Sequence, residues 1–195
     1  MPVNIPALGP LTPDSKIPAW LVSAPISVPF FDGQRLTFTL DGLEESDTSD
    51  VIVAIRAFLA LGAETRTAAT PYIFANYRRI AELVSADDLG CEIASPQEVW
   101  AHIQPSEIFV SRRHRRDQAI YVQITAECDW EPEHGLQIVF RRGHELVRVS
   151  EQDGHLTHAD AFNLPESEDK IVEGPIQSAR PPDRPAKPWW RFWYS

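Results

Sequence analysis

The sequence predicts an α+β fold: an antiparallel sheet covered on one face by helices, with extended proline-rich arms at both ends. Strand-like alternation comes in two blocks, near residues 26–40 and 107–150, and helical periodicity fills the interval between them. Strands segregated from helices in this way point to α+β rather than to an alternating parallel sheet. The 17 prolines are concentrated at the ends, with Pro2, Pro6, Pro10, Pro13 and Pro18 opening the chain and Pro175, Pro181, Pro182, Pro185 and Pro188 closing it. Regular structure is therefore expected roughly between residues 26 and 162.

Taken in order, "ISVPFFDGQRLTFTLDG" reads as a hairpin. Asp32-Gly33 is a two-residue turn signal between apolar runs, and Leu36, Phe38 and Leu40 alternate with Arg35, Thr37 and Thr39. Pro29 marks the first strand of the pair as an edge or a bulge. Three helices follow. In "SDVIVAIRAFLALG", Val51, Ile52, Ile55, Phe58 and Leu59 share a face, with Ser49 to cap the start and Gly62 to end the helix. Ile73, Tyr77, Ile80 and Val84 form a second stripe, with Pro71 in its first turn or kinking a helix begun near Thr65. Ser95, Pro96 and Glu98 give the capping pattern of a third helix, whose buried face is Val99, Trp100 and Ile103. Four strands complete the body: "EIFVSRR", "AIYVQITAE", "GLQIVF" and "ELVRVS", the last two joined by "RRGH" with Gly143 free to take a positive φ. The expected order is two strands, three helices and four strands. It forms a single domain over residues 1–165 with an extended N-terminal arm, and a tail over 166–195.

Composition narrows the function classes. With 43% hydrophobic and 24% charged residues the body can build an ordinary core. Its 18 Lys and Arg against 28 Asp and Glu give a net charge of −10, which argues against nucleic acid as the main partner. A basic protein partner, or solubility alone, suits that charge. No apolar run approaches the ~18 residues of a membrane span. The opening lacks the basic and apolar regions of a signal peptide. Two cysteines, Cys91 and Cys128, suggest a reduced cytoplasmic protein, and a disulfide between them stays open. No cofactor is expected.

Candidate chemistry gathers in "CDWEPEHGLQIVF" and "DGHLTHAD". Asp153, His155 and His158 are the candidate metal ligands, in an arrangement that would serve a metal-dependent hydrolase if the three converge. Gly154 and the turn-like "SEQDG" favour a loop with solvated histidines instead. His134 and His144 cannot share an ion. With Arg142-Gly143 at the turn, His144 lies opposite Arg141 and His134 stands seven residues up the first strand, roughly 24 Å away along the ladder at ~3.4 Å per residue. Cys128 stands among Glu127, Asp129, Glu131 and Glu133, and negative neighbours suppress a thiolate. No nucleophile elbow, phosphate-binding glycine loop or paired-cysteine motif occurs.

Two surface features stand out. "SRRHRRDQ" holds Arg112, Arg113, Arg115 and Arg116, the one basic block in an acidic chain. It is either a solvated hairpin tip or a contact for an anion or an acidic protein. "PPDRPAKPWWRFWYS" places Trp189, Trp190, Phe192 and Trp193 after a polyproline spacer. Such aromatics either fold back on the body or anchor a second chain, including a second copy in a homodimer.

The segment "IYVQITAECDWEPEHGLQIVF", with Trp130, the Glu133-His134-Gly135 turn and the strands through "DGHLT", resembles an uncharacterised bacterial domain family, as does the "VPFFDGQRLTFTL" hairpin. The resemblance covers roughly residues 10–162. Some relatives resemble immunity proteins of bacterial toxin systems, which implies a non-enzymatic protein that binds and neutralises a cognate toxin. A self-associating scaffold and a metal-dependent hydrolase remain the alternatives.

Overall fold

A computed structural model of the chain describes residues 4–85 and 89–173. Five short strands open the fold: β1 (Asn4–Ile5), β2 (Gly9–Pro13), β3 (Leu21–Ser23), β4 (Ile26–Val28) and β5 (Gln34–Asp41). Helices α1 (Thr48–Leu59) and α2 (Ala63–Ala81) follow, then a 3-10 segment over Pro96–His102. Strands β6 (Ile103–Arg112), β7 (Ile120–Cys128), β8 (Leu136–Arg141) and β9 (Glu145–Ser150) lead to a one-turn helix, α3 (His158–Ala161). All strands belong to one sheet of order β1-β2-β3-β5-β6-β7-β8-β9, with β4 also paired to β5.

Mixed α and β content and a mostly antiparallel sheet match the expected class, but the counts do not, since five strands rather than two precede the helices, and three further details differ. Strands β5 and β6 pair in parallel. The chain leaves β5, passes through both helices and returns beside it, and such a crossover brings neighbouring strands together in the same direction. The opening is not an arm from residue 4 onward, because Ile5, Leu8 and Leu11 are buried in the core. Pro10 and Pro13 are tolerated in β2 because it lies at the outer end of the sheet, beside the two-residue β1. The third helix is 3-10 rather than α: Ser95 Oγ donates to Glu98 Oε1 (2.7 Å) and caps no backbone N–H. Only seven residues are available there before Ile103 enters β6, and short pieces of this kind wind tightly.

The early hairpin forms with a longer turn than Asp32-Gly33 alone. Pro29–Phe31 make a 3-10 turn, and Asp32 (φ 53°) and Gly33 (φ 84°) reverse the chain in left-handed conformations. This turn drives Phe30 into the core. Pro29 thus starts a helical turn, where its fixed φ suits, instead of interrupting a strand. Pro71 lies inside α2, and the helix runs through it.

Register separates the two faces of the sheet. Phe38, Ile108, Ile124, Ile138 and Val149 stand in one row across β5 to β9, and Leu40, Val110, Val122 and Phe140 in the next. These rows face α1 and α2. Phe140 meets Phe30 and Phe58 with ring centroids 5.5 and 5.8 Å away, and Phe58 also meets Phe38 at 6.2 Å. The β8–β9 turn is wedged under α1: a Cβ on Gly143 (φ 76°) would stand 1.9 Å from the Ala54 carbonyl oxygen. The chain after β9 crosses to the other face. It closes back on the edge of β9, where Val149 N donates to Ile171 O (2.6 Å), and on α2, where Glu173 pairs with Arg79 (2.8 Å).

Candidate binding groove on the open face of the sheet

Because side chains alternate along a strand, the residues between the apolar rows must face away from the helices. These are Thr39 and Asp41 on β5, Phe109 and Ser111 on β6, Tyr121, Gln123 and Thr125 on β7, and Gln137 and Val139 on β8. The segment after β9 covers one half of this face. Leu156 packs there on Ala119, Tyr121 and Val139. Among the described residues, the half formed by β5, β6 and β7 stays open as a groove of about 620 Å³. Phe109, Ser111, Gln123 and Thr125 floor it, Trp20 and Asp41 wall one side, and His114, Gln152 and Leu156 the other.

Its aromatic wall is braced. Trp20 stands edge-on to Phe109 (centroids 5.5 Å apart, 77°), and its indole N–H donates to Asp41 Oδ1 (2.7 Å). Gln123 donates to Gln137 Oε1 (2.8 Å). Gln137 itself is fully buried, and its amide reaches Ser150 Oγ, Asp153 Oδ1 and the His155 carbonyl. The floor is therefore a fixed array of one aromatic ring, amides and hydroxyls. Such a surface can take up a flat apolar group and hydrogen-bond around it.

The basic block borders this groove, and the structure turns most of it inward. Arg112 donates to Asp47 (2.9 Å), Asp50 (2.8 Å) and the Gln118 carbonyl. Arg113 is 5% exposed and reaches Asp160 (2.7 and 2.9 Å), Glu166 (2.7 Å), Thr157 Oγ1 (3.0 Å) and Tyr121 OH (3.3 Å). Arg116 shares Asp160 (3.1 Å) and Glu166 (2.8 Å). Only Arg115, with His114, is exposed. The block is an internal clamp that holds the chain after β9 onto the sheet, rather than a row of four free charges. Burial raises the Asp160 carboxyl, but the hydrogen bond and charge of Arg113, with the Thr157 hydrogen bond and the Arg116 charge, together outweigh it and hold Asp160 below the usual carboxylate range. Glu166 is lowered mainly by its hydrogen bond from Arg113. Glu166, assigned from sequence to the tail, is thus tied into the body.

The candidate metal ligands do not converge. Asp153 is held by buried Arg148 (2.6 and 2.8 Å), and His155 Nδ1 lies 3.4 Å from Asp153 Oδ2. His158 is buried in α3, its ring 4.5 Å from Phe162. Among the described residues, no three His, Cys, Asp or Glu side chains come together as an ion would require. Burial favours the neutral Asp153 carboxyl, yet the hydrogen bonds from Arg148 and the His155 backbone N–H, together with the Arg148 charge, keep it below its ordinary value. Cys91 and Cys128 are free thiols. Burial, more than its acidic neighbours, pushes Cys128 up to about 12. Trp130 is buried, its indole N–H donating to Asn76 Oδ1 (3.1 Å). Trp189, Trp190, Phe192 and Trp193 lie outside the described residues.

Sequence reasoning passed over Trp20, Asp41 and Phe109. Phe109 was within reach, since it falls between Ile108 and Val110 and so had to face away from the helices. Trp20 was not, because the partners of its ring, Asp41 and Phe109, lie 21 and 89 positions further along the chain.

No helix among the described residues is long and apolar enough to cross a membrane. No curated protein and no solved structure matches the chain. One family model does, over residues 7–156, which takes in the whole groove floor, Arg112 and Arg113 but stops before the Asp160 and Glu166 that hold them. The chain belongs to the family described as Domain of unknown function (DUF6985).

Proposed function

We propose that this chain is a non-enzymatic protein-binding domain that receives its partner in the groove between Trp20 and Leu156. The observation that carries the reading is the open half-face itself, where a braced tryptophan and Phe109 stand among amides and hydroxyls on a rigid sheet. Aromatic anchors ringed by polar groups are the composition of a protein-binding centre. The finer version is an immunity protein: with a net charge of −10, the chain would attract a basic toxin and block it by occlusion. Two free thiols suit a reducing compartment for that role.

Co-expression with the product of the neighbouring gene tests it. The expected result is a complex and rescue from toxicity, both lost in Phe109→Ala/Gln123→Lys, a variant that alters the floor without touching the helix-side core. A complex that survives that double substitution overturns the groove as the binding surface. Absence of both complex and rescue overturns the immunity role.

A further inference from the structure

The groove has a candidate occupant within the same chain. Between Gly174 and Ser195 the sequence carries Arg180, Arg184, Lys187 and Arg191 against the single acid Asp183. That stretch bears a net +3, which leaves −13 on the rest of the −10 chain. The body is acidic and the tail is basic and aromatic. On the groove lining, Arg112 is neutralised by its pairs with Asp47 and Asp50, and Asp41 is the one carboxylate that faces the groove.

Reach is sufficient. The described chain ends at Glu173, paired with Arg79, just after Ile171 has bonded to the outer edge of β9. From there to β6 is three strand spacings, about 14 Å. Sixteen residues separate Glu173 from Trp189, and a proline-rich spacer covers about 3.1 Å per residue, or roughly 50 Å. The spacer can round the sheet edge with length to spare. An exposed run of tryptophans gains by burying its rings, and a tether holds them near the groove at an effective concentration of about millimolar.

We propose that the aromatic stretch from Trp189 to Tyr194 docks in cis into the groove beside Trp20 and Phe109, occupying it until a partner displaces it. This rests on the reading of the groove as a binding surface. Arg191 would lie toward Asp41, with the tail rings against the Trp20–Phe109 wall. The tail then works as a tethered competitor that raises the affinity threshold for a partner.

A spin label at Ser195→Cys in a Cys91→Ser chain tests it; Cys128 is buried and stays unlabelled. The readout is the set of indole N–H signals of the 15N-labelled protein, with Trp20 assigned through Trp20→Phe. The expected result is that the Trp20 signal loses most of its intensity in the oxidised probe while Trp130, beneath α2, keeps its own. Replacing Trp189, Trp190 and Trp193 by Ala should restore Trp20, with the intact Trp130 signal reporting that the fold is kept. Equal loss at Trp20 and Trp130, or no loss at either, overturns the proposal. Loss that appears only when labelled and isotopically labelled molecules are mixed assigns the groove to a second copy, and also overturns docking in cis. The partner test stands apart, because it is repeated on a chain lacking Lys187 to Ser195, where partner capture should persist and tighten.

Discussion

The two faces of the sheet are held by different forces. On the helix side, Phe30, Phe38, Phe58 and Phe140 interlock with aliphatic rows from five strands, all fully or nearly fully buried. On the other side, the covering segment after β9 brings few apolar groups, chiefly Leu156, and is held by charge, Arg148 to Asp153 and Arg113 and Arg116 to Asp160 and Glu166, while Arg79 of α2 pins its two ends through Glu151 and Glu173. Apolar packing is non-directional and spreads over the whole face. Ion pairs are local and require particular partners, so they can pin a strap to half of a sheet and leave the other half free. The segment from 151 to 173 leaves the groove uncovered because it is clamped beside it instead of packed across it.

The largest effect that would break this comparison lies on the helix side. Phe140→Ala should cost ~4 kcal/mol by cavity formation and should loosen both faces, read as a drop in the urea midpoint. A loss below ~1 kcal/mol would mean that the core is not as tightly fitted as its ring contacts imply. On the strap side, Arg113→Ala should cost ~3 kcal/mol, the low end for a broken buried pair, because Glu166 can return to water. Its more specific sign is new proteolytic cleavage between Asp153 and Glu168 with the core intact. Arg113→Met keeps the bulk without the charge and should recover much of the stability but not the protection from cleavage. If Met restores both, packing rather than pairing holds the strap.

Acid sharpens the contrast further. Asp153, Asp160 and Glu166 are all held below their ordinary values in the folded chain. A depressed carboxylate contributes stability above its unfolded value, near 4, and loses it as pH falls through the lower folded value. Melting temperature should therefore fall from about pH 4 downward, and the gap between the native chain and Arg113→Met should close over the same range. An unchanged gap at pH 3 would remove these carboxylates as its source. The smallest expected effect is on the far side of α1, where Val53 is 66% exposed: Val53→Ser should change stability by no more than ~0.5 kcal/mol.

Legibility in the sequence divided along the same line. Alternation in "AIYVQITAE" and periodicity in "SDVIVAIRAFLALG" identified β7 and α1, because burying one face imposes a period that neighbouring residues carry. Pro71 inside α2 and the 3-10 winding of 96–102 were less legible, since tertiary contacts, including the Trp100 indole on Thr70 Oγ1 (2.8 Å), outweigh local preference there. "SRRHRRDQ" misled in a more instructive way. Four arginines within five residues look like free charge, and nothing nearby in sequence announces Asp160 and Glu166, which lie 47 and 50 positions beyond Arg113 and Arg116.

The sequence by itself determined the class of the protein: its acidity, the order of strand and helix blocks, the apolar rows and the turns at Gly33 and Gly143. Each of these is written in local periodicity or in a conformation that few residues adopt. Tertiary structure decided that β5 and β6 run parallel, that Pro10 and Pro13 join the sheet, which arginines are spent inside the fold, and that Trp20 meets Phe109 across an open face. These depend on which distant segments become neighbours, and a pairing between residues far apart in the chain leaves no period for a local reading to find.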